Sequence, residues 1–265
     1  MGYGRNMNIY GRNVLLTGAS GGLGQAIAKE LHQRGARLTL TGRRVEELEA
    51  LAEQTQAQVL VADLCEPDGL DLVLAASRDC DVLIANAGMG SDVAIAEMTA
   101  VEVDQSIDVN LRGPILMATE FAQAHLQRQA AGQIVFIGSL SGVVATPNTR
   151  MYNATKFGLR GFSLSLREDL SSAGIGVSIV EPGFISEAGM FATSGIDLPA
   201  AVRMKTPADV GRCVAKTIES NPAESFVAPI ELRLVATLGS LAPGLSSMIQ
   251  RRAGTADMTA TRTES

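Results

Sequence analysis

The chain has 265 residues, 46% of them apolar, which suffices for one large α/β domain with its own core. A net charge of −6 and a pI near 5.1 exclude nucleic acid as the main partner, because phosphate backbones call for a basic face. Three cysteines (Cys65, Cys80, Cys213) without metal-type spacing, and only two histidines (His32, His125), exclude a zinc site and a disulfide scaffold. Buried free thiols are the expectation, and they fit a reducing cytosol.

Residues 1–11 read as a leader without the apolar stretch of a secretory signal, and residues 254–265 as a polar, mobile tail. Residues 14–17 are a short apolar run that stops at Gly18-Ala19-Ser20-Gly21-Gly22-Leu23-Gly24. Residues 25–35 then read as a helix, with Leu23, Ala26, Ile27 and Leu31 at helical spacing and Gly35 as its cap. Strand, glycine turn and helix in that order set helix N-terminal amides against a pyrophosphate, although tight packing alone also calls for glycine.

Residues 37–41 form the second predicted strand. An NAD-binding fold places Asp or Glu at its end for the adenosine ribose, and this chain has Gly42-Arg43-Arg44 instead. A guanidinium grips a 2′-phosphate in a bidentate manner, so NADP(H) is the preferred cofactor, with NAD(H) still allowed. The competing reading makes Arg43 and Arg44 the solvent face of a helix over residues 45–54.

Residues 58–62 and 82–85 are the third and fourth strands, ending in Asp63-Leu64 and Asn86-Ala87-Gly88. Asp63 either accepts from an adenine amine or caps the next helix. Residues 101–127 carry helical periodicity with Asn110 inside it. A mid-helix Asn competes for backbone hydrogen bonds, so an irregularity with a water or backbone contact is expected there, just before Gly113-Pro114.

Residues 134–137 are the fifth strand and run into Gly138-Ser139-Leu140-Ser141-Gly142. The Ser139 hydroxyl either faces the crevice as a donor to a substrate oxygen or bonds its own turn. The helix that follows carries Tyr152 and Lys156, one turn apart on one face. An ammonium about 4 Å from a phenol, at an effective dielectric of about 20, contributes roughly 4 kcal/mol, or about 3 units below the usual value near 10. The expected result is a hydroxyl that exchanges protons near neutrality.

Residues 177–180 are the sixth strand, ending in Pro182-Gly183. Residues 184–205 are a candidate substrate lid with Ile185, Met190, Phe191 and Ile196 as its apolar set. A helix over 207–218 and a last strand over 225–227 complete a doubly wound, Rossmann-type parallel sheet in a single domain spanning 1–265. Residues 234–249 carry no charge but fall short of the roughly 20 residues of a membrane span and contain Gly239, Pro243 and Gly244, so they read as a packed or interface element. A soluble, cytoplasmic protein without a membrane span is expected.

Together, the turn over residues 17–24, Asp63, Asn86-Ala87-Gly88, Asn110, Ser139, Tyr152 to Lys156 and Pro182-Gly183 resemble the main NAD(P)-dependent branch of the short-chain dehydrogenase/reductase family. The pieces follow family order and spacing over residues 12–234. The resemblance implies that Tyr152 is the acid/base and that Ser139 orients a carbonyl or alcohol oxygen. It implies that Lys156 holds the nicotinamide ribose and lowers the Tyr152 pKa, while Asn110 supports a relay water. It further implies cofactor contacts from Gly18, Ser20, Gly21, Gly22, Leu23 and Gly24, from Arg43, Arg44, Asp63 and Leu64, from Asn86, Ala87 and Gly88, and from Pro182, Gly183 and Ile185. A homodimer or homotetramer is implied as well, with the long helices in contact.

Two positions depart from the family pattern. Ala85 stands before Asn86-Ala87-Gly88 where a second Asn is common, and Ser186-Glu187 follow Phe184-Ile185 where Thr often binds the carboxamide. Val143, Val144 and Met151 near the site favour a moderately apolar ketone or alcohol, though core packing explains them equally. Two other classes stay open: a non-catalytic, NADP(H)-sensing regulator on the same fold, and a nucleotide-binding methyltransferase.

Overall fold

The computed structural model describes residues 7–90, 95–146, 149–186, 204–241 and 244. Among these residues, seven strands lie in one parallel sheet: β1 (Asn13–Thr17), β2 (Arg37–Gly42), β3 (Gln58–Val61), β4 (Val82–Ala85), β5 (Gly132–Ile137), β6 (Ile175–Pro182) and β7 (Glu224–Val227). Their order is β3-β2-β1-β4-β5-β6-β7. The doubly wound parallel sheet expected from the sequence is therefore present. Strand order turns back between β1 and β4, and ligands of such sheets bind in the crevice beyond the carboxyl ends at that point.

The central strands are apolar on both faces, and alternation divides the core in two. Val14 and Leu16 of β1, Val82 and Ile84 of β4 and Val135 and Ile137 of β5 pack with Ile27 and Leu31 of α1 (Gly22–Gln33) and Val210 and Val214 of α7 (Pro207–Ser220). On the other face Leu15, Leu83, Ile134 and Phe136 meet Met117 and Phe121 of α5 (Gly113–Gln127) and Leu159 of α6 (Arg150–Leu170). Burying each such side chain stabilises by about 1.5–3 kcal/mol. Glycine 35 ends α1 as expected, at φ +79°, with its N–H donating to the His32 carbonyl at 2.9 Å.

Four details differ from, or add to, the sequence expectation. Helix α3 (Pro67–Asp79), which follows α2 (Val45–Thr55), had no clear signal, because Asp68, Gly69 and Asp71 interrupt its start. Leu70, Val73 and Ser77 nonetheless face inward at helical spacing. Its N-cap position is Glu66 rather than Asp63, whose Oδ1 accepts the Cys65 N–H at 3.0 Å and closes a turn instead. The long helix over 101–127 is two helices, α4 (Ala100–Ile107) and α5, joined by a widened π-helical turn at Asp108–Arg112. That turn is the irregularity expected around Asn110.

Finally, α8 (Ile230–Leu241) covers the first part of the uncharged segment. Ile230, Leu234, Val235 and Leu238 are exposed and Ala236 is buried, so most of its described side chains do not pack. Among the described residues no helix is long and apolar enough to cross a membrane. The three cysteines are free, but only Cys80 is buried; Cys65 and Cys213 are partly exposed. The lid candidates Met190, Phe191 and Ile196, as well as Glu187 and the tail, lie outside the described residues.

Candidate active site

The turn after β1 is shaped by glycine. Gly18 adopts φ +63°, and a side chain there would sit 2.7 Å from the Cα of Ala87. Helix α1 then starts at an N-cap, Gly21, that offers no side-chain cap, so its first amides stay available to an anion. The Ser20 carbonyl accepts from Gln25 Nε2 at 3.0 Å and from Arg44 Nη2 at 2.5 Å, which ties the turn to the end of β2.

Thr17, which opens the glycine turn, joins β1 to β4. Its hydroxyl accepts the N–H groups of Asn86 and Ala87, both at 3.0 Å. The Asn86 amide donates to the carbonyls of Thr17 and Gly18 at 2.9 and 3.1 Å. The Asn86 side chain thus shapes the turn and is occupied there. Leu64 and Ile185 turn their side chains into the core, and Gly183 lies against Leu140 and Ala228.

A second cluster forms where β5 meets α6. Lys156 is 3% exposed, and its Nζ donates to the Ile137 carbonyl at 2.8 Å while standing 5.6 Å from the centre of the Tyr152 ring. The Ser139 Oγ accepts the Ser141 N–H at 3.1 Å and lies near enough to the Tyr152 hydroxyl to offset part of the phenol's burial. The turn-serine reading of Ser139 is thus present in the structure, with its hydroxyl on the Tyr152 side of the turn. Asn153, given no role of its own from the sequence, fixes this loop to α6 by donating to the carbonyls of Ser141 and Val144 at 2.7 and 3.2 Å. Asn110 is fully buried, and its amide exchanges two hydrogen bonds of 2.8 Å with the backbone of Met89. A Cβ added to Gly88 would lie 3.3 Å from Asn110 Oδ1 and 3.7 Å from Lys156 Nζ, so the end of β4 borders the same cluster.

One electrostatic expectation is reversed. Burial pushes the Tyr152 hydroxyl up to about 12, the Ser139 hydrogen bond opposes this, and the Glu181 carboxyl adds to it. Burial outweighs the expected effect of the ammonium, and the Glu181 carboxyl acts in the same upward direction. Burial meanwhile pushes Lys156 down to about 8, with Glu181 pulling it back up. Tyr152 keeps part of its surface exposed, so solvent softens the upward push on its hydroxyl.

The family model described as short chain dehydrogenase matches residues 12–197. The chain belongs to the short-chain dehydrogenase family. Nodulation protein G of Rhizobium sp. (strain N33) is 38% identical over 184 residues, covering 67% of this chain and 75% of that protein. The 3-oxoacyl-(acyl-carrier-protein) reductase FabG of Rickettsia bellii is 34% identical over 181 residues, 68% of this chain and 75% of that one. Among solved structures, a short-chain dehydrogenase from Sphingobium yanoikuyae in complex with NADPH superposes with a TM-score of 0.77 at 28% identity, covering 89% of this chain and 95% of that chain. This short-chain dehydrogenase is accordingly an NAD(P)-dependent oxidoreductase.

The residues singled out from sequence fall into three groups. Gly18 to Gly24 shape the turn, while Asn110, Ser139, Tyr152, Lys156 and Gly88 gather at the ends of β4 and β5. Arg43 stands apart: its side chain is 70% exposed, and its guanidinium reaches Asp63 at 3.4 Å. Glu181 was missed. Its signal was an acid at the carboxyl end of an otherwise apolar strand, the same position that drew attention to Asp63.

Proposed function

We propose that the protein transfers a hydride between NADP(H) and a carbonyl or secondary alcohol, with Tyr152 as acid/base, Ser139 orienting the substrate oxygen, and Lys156 and Asn110 supporting them. The observation that carries this reading is the buried Lys156, whose Nζ stands 5.6 Å from the centre of the Tyr152 ring while donating at 2.8 Å to the carbonyl of Ile137, two residues before Ser139. The cofactor's fit is supported by the uncapped α1 amides and the side-chain-free approach at Gly18 and Gly88. The NADPH bound to the Sphingobium yanoikuyae relative and the reductase activity in the FabG name support it further.

A bound nicotinamide supplies or takes up the hydride. The chain's own residues handle the proton. A phenol held near 12 is fully protonated at neutral pH, so Tyr152 can give its proton to the oxygen of a carbonyl being reduced. The phenolate left behind is stabilised by the Ser139 hydroxyl and by Lys156, which stays cationic below its value of about 8. The sensing-regulator alternative needs none of this arrangement.

Thermal unfolding with each ligand tests the reading first. NADPH is expected to raise the melting temperature more than NADH, and S-adenosylmethionine not at all. Stabilisation by S-adenosylmethionine instead would remove the proposal. NADPH consumption across ketones, aldehydes and oxidised lipids then defines the substrate class.

Cofactor choice rests on Arg43. An exposed ion pair such as Arg43–Asp63 contributes only about 0–1 kcal/mol, so the guanidinium is free to turn to a 2′-phosphate. A charge-assisted hydrogen bond contributes about 1.5–3 kcal/mol, so Arg43→Ala is expected to lower kcat/KM for NADPH by about 10–100-fold and leave that for NADH nearly unchanged. An unaltered ratio of the two efficiencies would show that Arg43 reads no phosphate.

A further inference from the structure

The residues assigned above leave a fully buried acid beside them without a role. Glu181 lies near the end of β6, a strand buried along its whole length, and is 0% exposed. A carboxyl in such a place is costly unless it is held by partners. Its Oε2 accepts the Ser139 N–H, and its Oε1 has no hydrogen-bond partner among the described residues. Strands β5 and β6 run in register with Ile137 opposite Val180, and the Gly138 N–H donates to the Val180 carbonyl at 2.7 Å, so the chain from Gly138 to Ser139 passes alongside the acid. A side chain at Gly138 would collide with the Glu181 carboxyl. The segment Ile137-Gly138-Ser139 is thereby held twice: Lys156 Nζ grips its first carbonyl, and the Glu181 carboxyl grips its last amide.

We infer that Glu181 is a positioning residue of the acid/base site, holding the Ser139 amide so that its hydroxyl stays beside Tyr152, with its carboxyl against the same segment that Lys156 grips. This rests on Tyr152 being the acid/base. The charged and titratable groups around Glu181 are Tyr152, Lys156 and Arg160 on α6 and Glu224 on β7. Arg160 is engaged by Glu224 in two hydrogen bonds of 2.6 and 3.2 Å, which offsets its charge locally. Burial pushes Glu181 up to about 8, against the pull of the Ser139 N–H and Lys156. Once ionised, Glu181 raises both Tyr152 and Lys156.

Glu181→Gln retains an oxygen for the Ser139 amide and removes the charge. In that variant the pH of half-maximal alcohol oxidation is expected to fall by about one unit, because a like charge near the phenol is gone. A purely structural role predicts no movement. A second readout needs neither cofactor nor turnover. Folded Glu181 keeps its proton up to about pH 8 and the unfolded chain releases it near 4.5, so between those values its contribution to stability falls as pH rises. The melting temperature of Glu181→Gln relative to the unaltered protein is therefore expected to climb between about pH 5 and about pH 8.5.

Gly138→Ala leaves the acid in place and crowds its carboxyl off the Ser139 amide. It is expected to lower kcat about tenfold, with KM for NADPH within about twofold. An unmoved oxidation profile, a flat melting difference or an unchanged Gly138→Ala kcat each overturns the inference. An inactive Tyr152→Phe protein beside an unmoved Glu181→Gln profile removes this inference alone, whereas an active Tyr152→Phe protein removes the function proposed above.

Discussion

Tyr152→Phe is expected to lower kcat by about 10²–10⁴-fold while NADPH affinity stays within about threefold. The substitution deletes one oxygen and keeps the ring. Packing on α6 is therefore retained, and the Lys156 Nζ bond to the Ile137 carbonyl does not involve the phenol. What disappears is the group proposed to give or take the proton at the substrate oxygen, the hydroxyl beside Ser139. Steady-state rates with a substrate from the NADPH screen, paired with fluorescence titration of cofactor, separate the two effects. A kcat within a few-fold of the unaltered protein would mean that some other group moves the proton.

The fold was legible because its signals repeat. Four apolar runs, each ending in a small or polar residue, lie where β1, β3, β4 and β5 are found, and the doubly wound sheet follows from their alternation with helices. Helix α3 was not legible, since Pro67-Asp68-Gly69 reads as a turn; only Leu70, Val73 and Ser77 against the sheet make it a helix. Of the site, Tyr152, Lys156 and Ser139 could be named from spacing, and they do meet. Their electrostatics could not. A one-turn separation on a helix says that Lys156 and Tyr152 share a face, but it says nothing of the Ile137 carbonyl that takes the ammonium or of the acid arriving from β6, some 30 residues downstream. Long-range partners of that kind, like Thr17 for Asn86, are supplied by topology alone.

The glycine turn yields the other large effect. Gly24 faces the backbone of its own turn: a Cβ would collide with the Gly18 carbonyl and lie 2.7 Å from the Cα of Ala19. Neither neighbour is a flexible side chain. Gly18 is held against Ala87, and α1 is anchored by Ile27 and Leu31 in the core, so the strain falls on the amides proposed to face the cofactor. Overpacking of this kind costs about 1–3 kcal/mol, and Gly24→Ala is expected to weaken NADPH binding by about 10–100-fold. Gly161→Ala is the matching control. Gly161 lies mid-helix on α6 with nothing within 4 Å of an added Cβ, so alanine there is expected to stabilise by about 0.5–1 kcal/mol and leave NADPH affinity unchanged. Titration and thermal unfolding of both variants separate a turn shaped for phosphate from a glycine that merely relaxes the chain. Equal NADPH affinity in the two would mean that the turn after β1 does not hold the cofactor.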